Sequence, residues 1–267
     1  MILPKSAGGH VFTPVEDSLH AIARCKTGTV ADHFEAYGEA TITGAVNNAD
    51  LWSGYAASAV QPEPDTAGYA LWVESSSLAD NGTSATGALT VDVHYLDTSG
   101  AQQTTTATLN GQTPVDTGVS DCMFVNDFHV ETVGSGLVAA GNVDCTKGSG
   151  GAVVSRILAA GNFALSTMRQ VPAGKRLYLL GWHGVGVAAT AKFSTLRIRS
   201  STHLRDHANA AGVYHFLDVT RVKDFATGWL PFPVPQVMQP LSTIKITAWT
   251  SGTNDISGSW RGWIEDV

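Results

Sequence analysis

The pattern of hydrophobic and polar positions changes from helical to alternating about thirty residues into the chain. Thr13 and Glu16 fit a capping box, with a proline between them at the first helical position. We predict a short helix over about residues 14–24, inside an N-terminal arm formed by residues 1–33. Its apolar side chains recur at helical spacing and are expected to contact a neighbouring subunit. They are Val15, Leu19 and Ile22.

From Phe34 onward, hydrophobic and polar residues alternate with a period of two, in short runs that end at Gly, Pro, Asn or Asp. A turn at 97–100 joins two of these runs in a predicted hairpin. Many short strands with almost no helix predict an all-β fold of the β-sandwich or jelly-roll class. The predicted strands are 69–74, 91–95, 104–109, 128–132, 141–146, 153–159, 163–171, 176–182, 196–199, 213–219, 244–249 and 258–264.

The most linker-like segment is the glycine-rich stretch 147–151. The balance of charge changes sign at the same place. Residues 1–148 carry 4 Lys and Arg against 17 Asp and Glu, whereas residues 149–267 carry 12 against 6. We therefore predict two β-sandwich lobes, 34–148 and 149–267, the second of them jelly-roll-like. The halves share no alignable repeat, so one large composite sandwich remains the alternative.

The content and distribution of charged residues limit the kinds of partner that this protein can be expected to bind. Charged residues make up 15% of the chain, against roughly 25% in an average domain, and this suggests that much of the surface faces other protein. The net charge of -7 argues against a nucleic-acid partner. The unequal halves fit a domain contact, a subunit contact or two partner faces, and compositional drift explains them equally well. On a basic subunit face we expect Arg197, Arg199 and Arg205.

The run Trp229-Leu230-Pro231-Phe232-Pro233-Val234-Pro235 is the clearest candidate contact segment. Its alternating prolines exclude a central strand and impose an extended course. Two alternatives stay open: the run caps the edge of its own sandwich, or it contacts another subunit through Trp229, Phe232 and Val234.

The chain shows no catalytic fingerprint. It has no nucleophile elbow and no phosphate-binding loop. His203 and His207 have metal-ligand spacing only if they lie on a helix, and the dispersed acids need a fold to bring them together. Three unclustered cysteines predict buried thiols in a reducing compartment. No signal peptide or membrane-spanning run is evident. We expect no enzyme activity, no cofactor and no metal.

Several segments, taken in order, carry a resemblance. They are the strand GTSATGALTVDVHYLD (82–97), the run TTTATLNGQTP (104–114), FVN (124–126), the turn VPAGK (171–175), LRIR (196–199) and the closing strand 257–264. In this order they resemble a family of structural proteins from tailed-bacteriophage particles, over about residues 66–267. Phe124 stands where the family usually has an arginine.

This resemblance implies a non-enzymatic component of the virion, assembled in the host cytoplasm. It would bind the capsid shell or the tail as a decoration or cement protein. The implied partners are further copies of the chain, with a trimer as the favoured state, and the major capsid protein or tail proteins, with no direct contact to nucleic acid or membrane. The alternative function is a receptor- or carbohydrate-binding module of a tail or fibre.

Overall fold

A computed structural model describes residues 31–44, 47–83, 86–187, 193–201, 213–223 and 229–267. The described residues contain strands and no helix, and none of them belongs to a helix long and apolar enough to span a membrane. The all-β prediction is therefore confirmed. The predicted helix at 14–24 lies outside the described residues. The strands are β1 (Ala31–Ile42), β2 (Ala49–Asp50), β3 (Leu71–Ser75), β4 (Ala88–Asp97), β5 (Gln102–Thr108), β6 (Val115–Asp116), β7 (Cys122–Val133), β8 (Val143–Lys147), β9 (Val153–Ile157), β10 (Arg169–Gln170), β11 (Lys175–Val187), β12 (Phe193–Ser201), β13 (Tyr214–Lys223), β14 (Leu230–Met238), β15 (Thr243–Thr250) and β16 (Asn254–Asp266).

Two facing sheets form a jelly-roll sandwich from the two ends of the described chain. One sheet has the order β1-β16-β11-β14, and the other has β10-β15-β12-β13, with β2 also paired to β15. The pairs are nested. The outermost pair is β1 with β16, and inside it β2 and β10 both pair with β15. Then β11 pairs with β14, and the innermost pair is β12 with β13. This nested pairing is the jelly-roll arrangement of two Greek keys.

Alternation along the strands fills the space between these sheets with apolar side chains. Trp260 and Trp182 are fully buried in this core, together with aliphatic residues of β12 and β15. Close backbone approach requires a glycine in β1, because a Cβ on Gly38 would lie 2.2 Å from the Leu51 carbonyl oxygen and 2.6 Å from the Thr167 nitrogen.

Strands β3 to β9 form a second sandwich with its own core. Its sheets are β6-β3-β8-β9 and β5-β4-β7. The predicted β4–β5 hairpin is present, with Val93 opposite Thr105. Leu71, Val91 and Phe128 are fully buried between the sheets. We call this unit the inserted lobe, because β2 precedes it and β10 follows it on the same partner strand, β15.

The strand pairing corrects the expected lobe boundaries. The start of β1, residues 31–33, was placed in the arm, and the rest of β1 was placed with β2 in the first lobe. Both strands instead pair with strands of the jelly roll, β16 and β15. The expected linker at 147–151 is the turn of the β8–β9 hairpin, with Gly148 and Gly150 at positive φ. The linker prediction failed because tight turns and flexible linkers are both rich in glycine. Here the glycines adopt the positive φ angles that the turn requires.

The cysteines of the inserted lobe match the expectation of buried thiols. Cys122 and Cys145 are both buried and unpaired. Burial raises the pKa of Cys122 to about 12, so its thiolate is scarce at neutral pH. Cys25 lies outside the described residues.

Hydrogen bonds fasten the two lobes to each other. The Asn126 side chain exchanges two bonds with the Gln170 backbone, at 2.9 and 2.8 Å. The Ala173 amide donates to the Gly100 carbonyl at 2.8 Å. Asn126 is buried in the inserted lobe and Gln170 lies in β10, so these bonds hold the inserted lobe against the jelly roll. A cleft between the two lobes lies beside them.

Candidate interaction surface and inter-lobe cleft

The predicted contact residues divide into those the structure describes and those it does not. Val15, Leu19, Ile22 and Arg205 lie outside the described residues. Arg197 and Arg199 lie on β12 of the jelly roll. Trp229, Phe232 and Val234 lie in the region of its edge strand β14.

Arg197 and Arg199 point away from the core because their neighbours Leu196 and Ile198 point into it. Both guanidinium groups lie near the ring of Phe216, at 5.7 and 4.8 Å from its centroid. Phe216 is on β13, opposite Arg199, and 57% exposed. Cation–π contacts thus hold two arginines around a phenylalanine that still faces solvent.

The same outer face continues along β13. Arg221 stacks over the Phe193 ring at 4.5 Å, and Val219, directly opposite Arg197, is about half exposed. We call this surface the arginine–aromatic face. It consists of Phe193, Arg197, Arg199, Phe216, Val219 and Arg221.

A buried charge cluster anchors one end of this face. The Lys245 ammonium, which is almost fully buried, lies 3.1 Å from an Asp50 oxygen and 2.7 Å from a Glu63 oxygen. The Tyr214 hydroxyl donates to the Glu63 carboxylate, and the Tyr214 ring lies 4.4 Å from the ammonium. Burial raises the pKa of Tyr214, with a further contribution from the Glu63 charge. The start of β13 is therefore tied to β15 through an ammonium that bonds both carboxylates and a hydroxyl that bonds one of them.

Strand β14 is the edge of its sheet, as its prolines require. Its pairing with β11 skips from Gln236 to Pro231 while β11 advances from Leu179 to Gly181. Of the two alternatives left open, the structure favours capping for Phe232, which packs on the chain's own core.

The other two predicted residues of this run differ from Phe232. Trp229 is half-buried beneath the Arg261 guanidinium, 4.2 Å from its ring. Val234 is 65% exposed. The structure of one chain therefore leaves only Val234 fully available for a contact to a second chain.

The cleft between the lobes has a volume of about 570 Å³. Tyr37 on β1 forms part of one wall, and Phe163 of the inserted lobe lies on the other, both with their rings exposed. Glu35, Asp127 and Arg169 add charge to the lining. Burial lowers the pKa of Arg169, against the opposing effect of the two carboxylates. The cleft thus combines aromatic faces with polar groups.

The outer face of β5-β4-β7, at the rim of this cleft, carries a group of residues that sequence reasoning did not bring together. Asp92 lies opposite His129, and His94 lies opposite Asp127. One ligand atom from each of Asp92, His94 and His129 lies within 4.8 Å of the others. The signal in the sequence is the repeated Asp-x-His, at 92–94 and again at 127–129. Only the antiparallel register shows that the two copies meet.

Comparison with known proteins adds little to this geometry. No family model matches the chain, and no curated protein matches it. Among solved structures, the T=1 particles derived from infectious bursal virus match with 13% identity over 88% of this chain and 69% of that chain, at a TM-score of 0.18. Particles of a point-mutant VP2 protein of infectious bursal disease virus match with 10% identity over 89% and 74%, at 0.14. Both TM-scores are too low to support an argument about function.

Proposed function

We propose that this chain is a non-enzymatic structural component of a virus particle of the tailed-bacteriophage type. In this proposal it assembles as a homo-oligomer, with a trimer as the favoured state, and binds the capsid shell or the tail as a decoration or cement protein. The motif resemblance described above suggests the particle. The surface of the jelly roll suggests the mode of assembly.

The observation that carries the proposal is the arginine–aromatic face. A solvated outer face of an antiparallel sheet is normally polar. Here Phe216 and Val219 stand exposed between guanidinium groups. Aromatic side chains and arginine are the residue types enriched in protein interfaces, so this face suits contact with another protein chain.

Fold and composition support the same conclusion without deciding it. Jelly rolls serve in viral capsids and also in lectins and cupins, so the fold alone assigns no activity. The low content of charged side chains, 15%, agrees with a surface that is partly covered in the assembled state.

Two matched phenylalanine variants test the proposal. Phe216 and Phe163 are 57% and 58% exposed, on the jelly roll and in the inter-lobe cleft respectively. Phe216→Ser is expected to convert the oligomer to monomer in light scattering coupled to gel filtration, while Phe163→Ser leaves it assembled. Circular dichroism of both variants checks that the fold is kept. Wild-type protein that is monomeric at all concentrations, or equal loss in both variants, would contradict the proposal.

The location in a particle needs a second experiment. Chemical cross-linking of purified particles, followed by mass spectrometry, should join lysines of this chain to the major capsid protein or to a tail protein. Cross-links to neither class would exclude the decoration and cement roles and leave the oligomer without its expected partner.

The inter-lobe cleft favours a second candidate, a carbohydrate-binding module of a tail or fibre. Exposed Tyr37 and Phe163 offer stacking faces, and Glu35, Asp127 and Arg169 offer polar contacts beside them. Binding on a glycan array that is lost in Phe163→Ser and kept in Phe216→Ser would favour this role. Equal binding by both variants would exclude the cleft as the site.

A further inference from the structure

We propose that Asp92, His94 and His129 bind one divalent transition-metal ion, of the class to which zinc belongs. The site lies on the outer face of β4 and β7 in the inserted lobe, on a different sheet from the arginine–aromatic face. It does not depend on the proposed function. Binding is proposed through these three side chains, with a water molecule or a further ligand completing the coordination.

The sheet register brings the three ligands together. Asp92 and His94 are two residues apart on β4, so both point to the same side of the sheet. His129 on β7 is directly opposite Asp92. One ligand atom from each residue lies within 4.8 Å of the other two. An ion with nitrogen and oxygen ligands at roughly 2.0–2.2 Å holds its ligand atoms closer together than 4.8 Å, so binding requires the two imidazole rings to turn toward the ion.

Neighbouring side chains orient each ligand. The Thr106 hydroxyl donates to one oxygen of Asp92 at 2.6 Å. His94 Nδ1 lies 3.0 Å from the Thr104 hydroxyl, and His129 Nδ1 lies 3.1 Å from an Asp127 oxygen. These contacts give Nδ1 of each imidazole a hydrogen-bond partner, so binding is proposed through Nε2 of each ring. A histidine ligand whose other nitrogen bonds a carboxylate or hydroxyl is typical of metal sites.

The donor set selects the kind of ion. Two imidazoles and one carboxylate suit zinc, copper, nickel or iron, whereas calcium and magnesium prefer oxygen ligands alone. Glu131 lies 3.8 Å from Nε2 of His129 and places a second carboxylate beside the site. All three ligands are half-buried, so the ion would remain open to solvent or to a further ligand on one side.

The two imidazoles also belong to a row of rings, which gives the competing explanation. His94 stacks on His129 at 5.3 Å between ring centroids, and Phe163 stacks on His129 at 5.5 Å. Packing alone explains the row if no ion binds. It does not require Asp92, Thr104 or Thr106, and this difference makes the two explanations separable.

The first experiment titrates zinc chloride into the full-length chain, stripped with a chelator, by isothermal calorimetry. We expect one site per chain that weakens at least about 10-fold in His94→Gln, in His129→Gln and in Asp92→Asn. The matched control is His33→Gln, on β1 across the cleft and outside the cluster. The double variant His203→Gln, His207→Gln is the second control. Binding that is absent in the wild type, unchanged in the cluster variants, or lost only in the double variant would overturn the proposal.

A second measurement separates coordination from packing. Thr104→Val removes a partner of His94 without removing a ligand, and it is expected to weaken zinc binding by about 10-fold or more. Thr108→Val, on the same face of β5, is the matched control and should bind as the wild type does. Circular dichroism of every variant checks folding. X-ray absorption at the zinc edge should show nitrogen and oxygen neighbours at roughly 2.0–2.2 Å, and a fully hydrated ion would overturn the proposal.

Discussion

The two lobes stabilise their interiors by different means. In the jelly roll, large indoles fill the core and also donate hydrogen bonds: Trp260 to the Thr167 carbonyl at 2.8 Å, and Trp182 to Asp218 at 2.9 Å. In the inserted lobe the core is mostly aliphatic, and a single fully buried carboxylate, Asp80, organises the loops around it.

Asp80 accepts bonds from three backbone amides and one hydroxyl. The amides belong to Ala88, Ala140 and Gly141, at 2.7–2.9 Å, and the hydroxyl belongs to Ser75, at 2.6 Å. The two indoles of the jelly roll each donate one bond, whereas the Asp80 carboxylate gathers several donors from segments up to 61 positions apart.

The largest expected effect is in the jelly roll. Trp260→Ala should lower the free energy of unfolding by about 3–5 kcal/mol, because it empties a fully buried site and leaves the Thr167 carbonyl without its donor. Urea denaturation followed by circular dichroism measures the change. Half-buried Trp249 is the matched control, and Trp249→Ala should cost less than half as much. If the two variants lost equal free energy of unfolding, full burial of the Trp260 indole would not explain its contribution to stability.

A smaller effect is expected from the carboxylate of the inserted lobe. Asp80→Asn keeps the shape but places an amide group against amide donors, and it should cost about 2–3 kcal/mol. The exposed Asp121 is the control, since Asp121→Asn should change stability by less than about 0.5 kcal/mol. Hydrogen exchange should show faster opening around 75–88 and 139–142 in Asp80→Asn. Exchange that rises only in the jelly roll would refute the assignment of Asp80 to the inserted lobe.

The next effect concerns an ion pair on the β8–β9 hairpin. Arg156 donates two bonds to Asp144, at 2.5 and 2.6 Å, and both side chains are mostly buried. A double-mutant cycle with Asp144→Asn and Arg156→Met should give a coupling free energy of about 1 kcal/mol. A coupling near zero would show that this hairpin is held by its strands alone.

The smallest effect is at the β4–β5 turn. Bonds from the Ser99 hydroxyl above all, and from Gln103 and two backbone amides, lower the pKa of Asp97 below its ordinary value. A lowered pKa adds stability above the unfolded-state pKa, and this stability is lost as the pH falls through the folded-state pKa. The side chain is near the surface, so Asp97→Asn should cost no more than about 1 kcal/mol at pH 7, and its cost should fall as the pH is lowered toward 2. Denaturation series at the two pH values measure this, and an equal cost at both would contradict the role of the charge.

Local patterns in the sequence predicted local structure well. The turn residues after Tyr95 and the alternation on either side predicted the β4–β5 hairpin because its partners are neighbours in the chain. The alternation of Leu196 and Ile198 with two arginines likewise predicted which face of β12 is exposed. Such patterns depend only on the period of a strand, and a period can be found in a single sequence.

Non-local pairing could not be predicted in the same way. The lobe boundary was wrong because β1 pairs with β16, and nothing within residues 31–42 specifies so distant a partner. The Asp-x-His repeats were missed because their meeting depends on the register of β4 and β7, which includes several irregularities. Phe216 was missed for a similar reason. It became a candidate contact residue only when the pairing of β12 with β13 placed Arg197 and Arg199 beside its ring.

The nested pairing of the jelly roll has a consequence for how the chain folds during synthesis. Thr41 and Asp255 bond across 214 positions, and ribosomes extend a chain at roughly 5–20 residues per second. Strands β3 to β9 are all made before β11 emerges, so the inserted lobe can close first. Through that interval β1 lacks its partner strand β16, and the edge that β16 later covers is open to other nascent chains. The two glutamates on its outer side, Glu35 and Glu39, would then disfavour edge-to-edge pairing with a second copy.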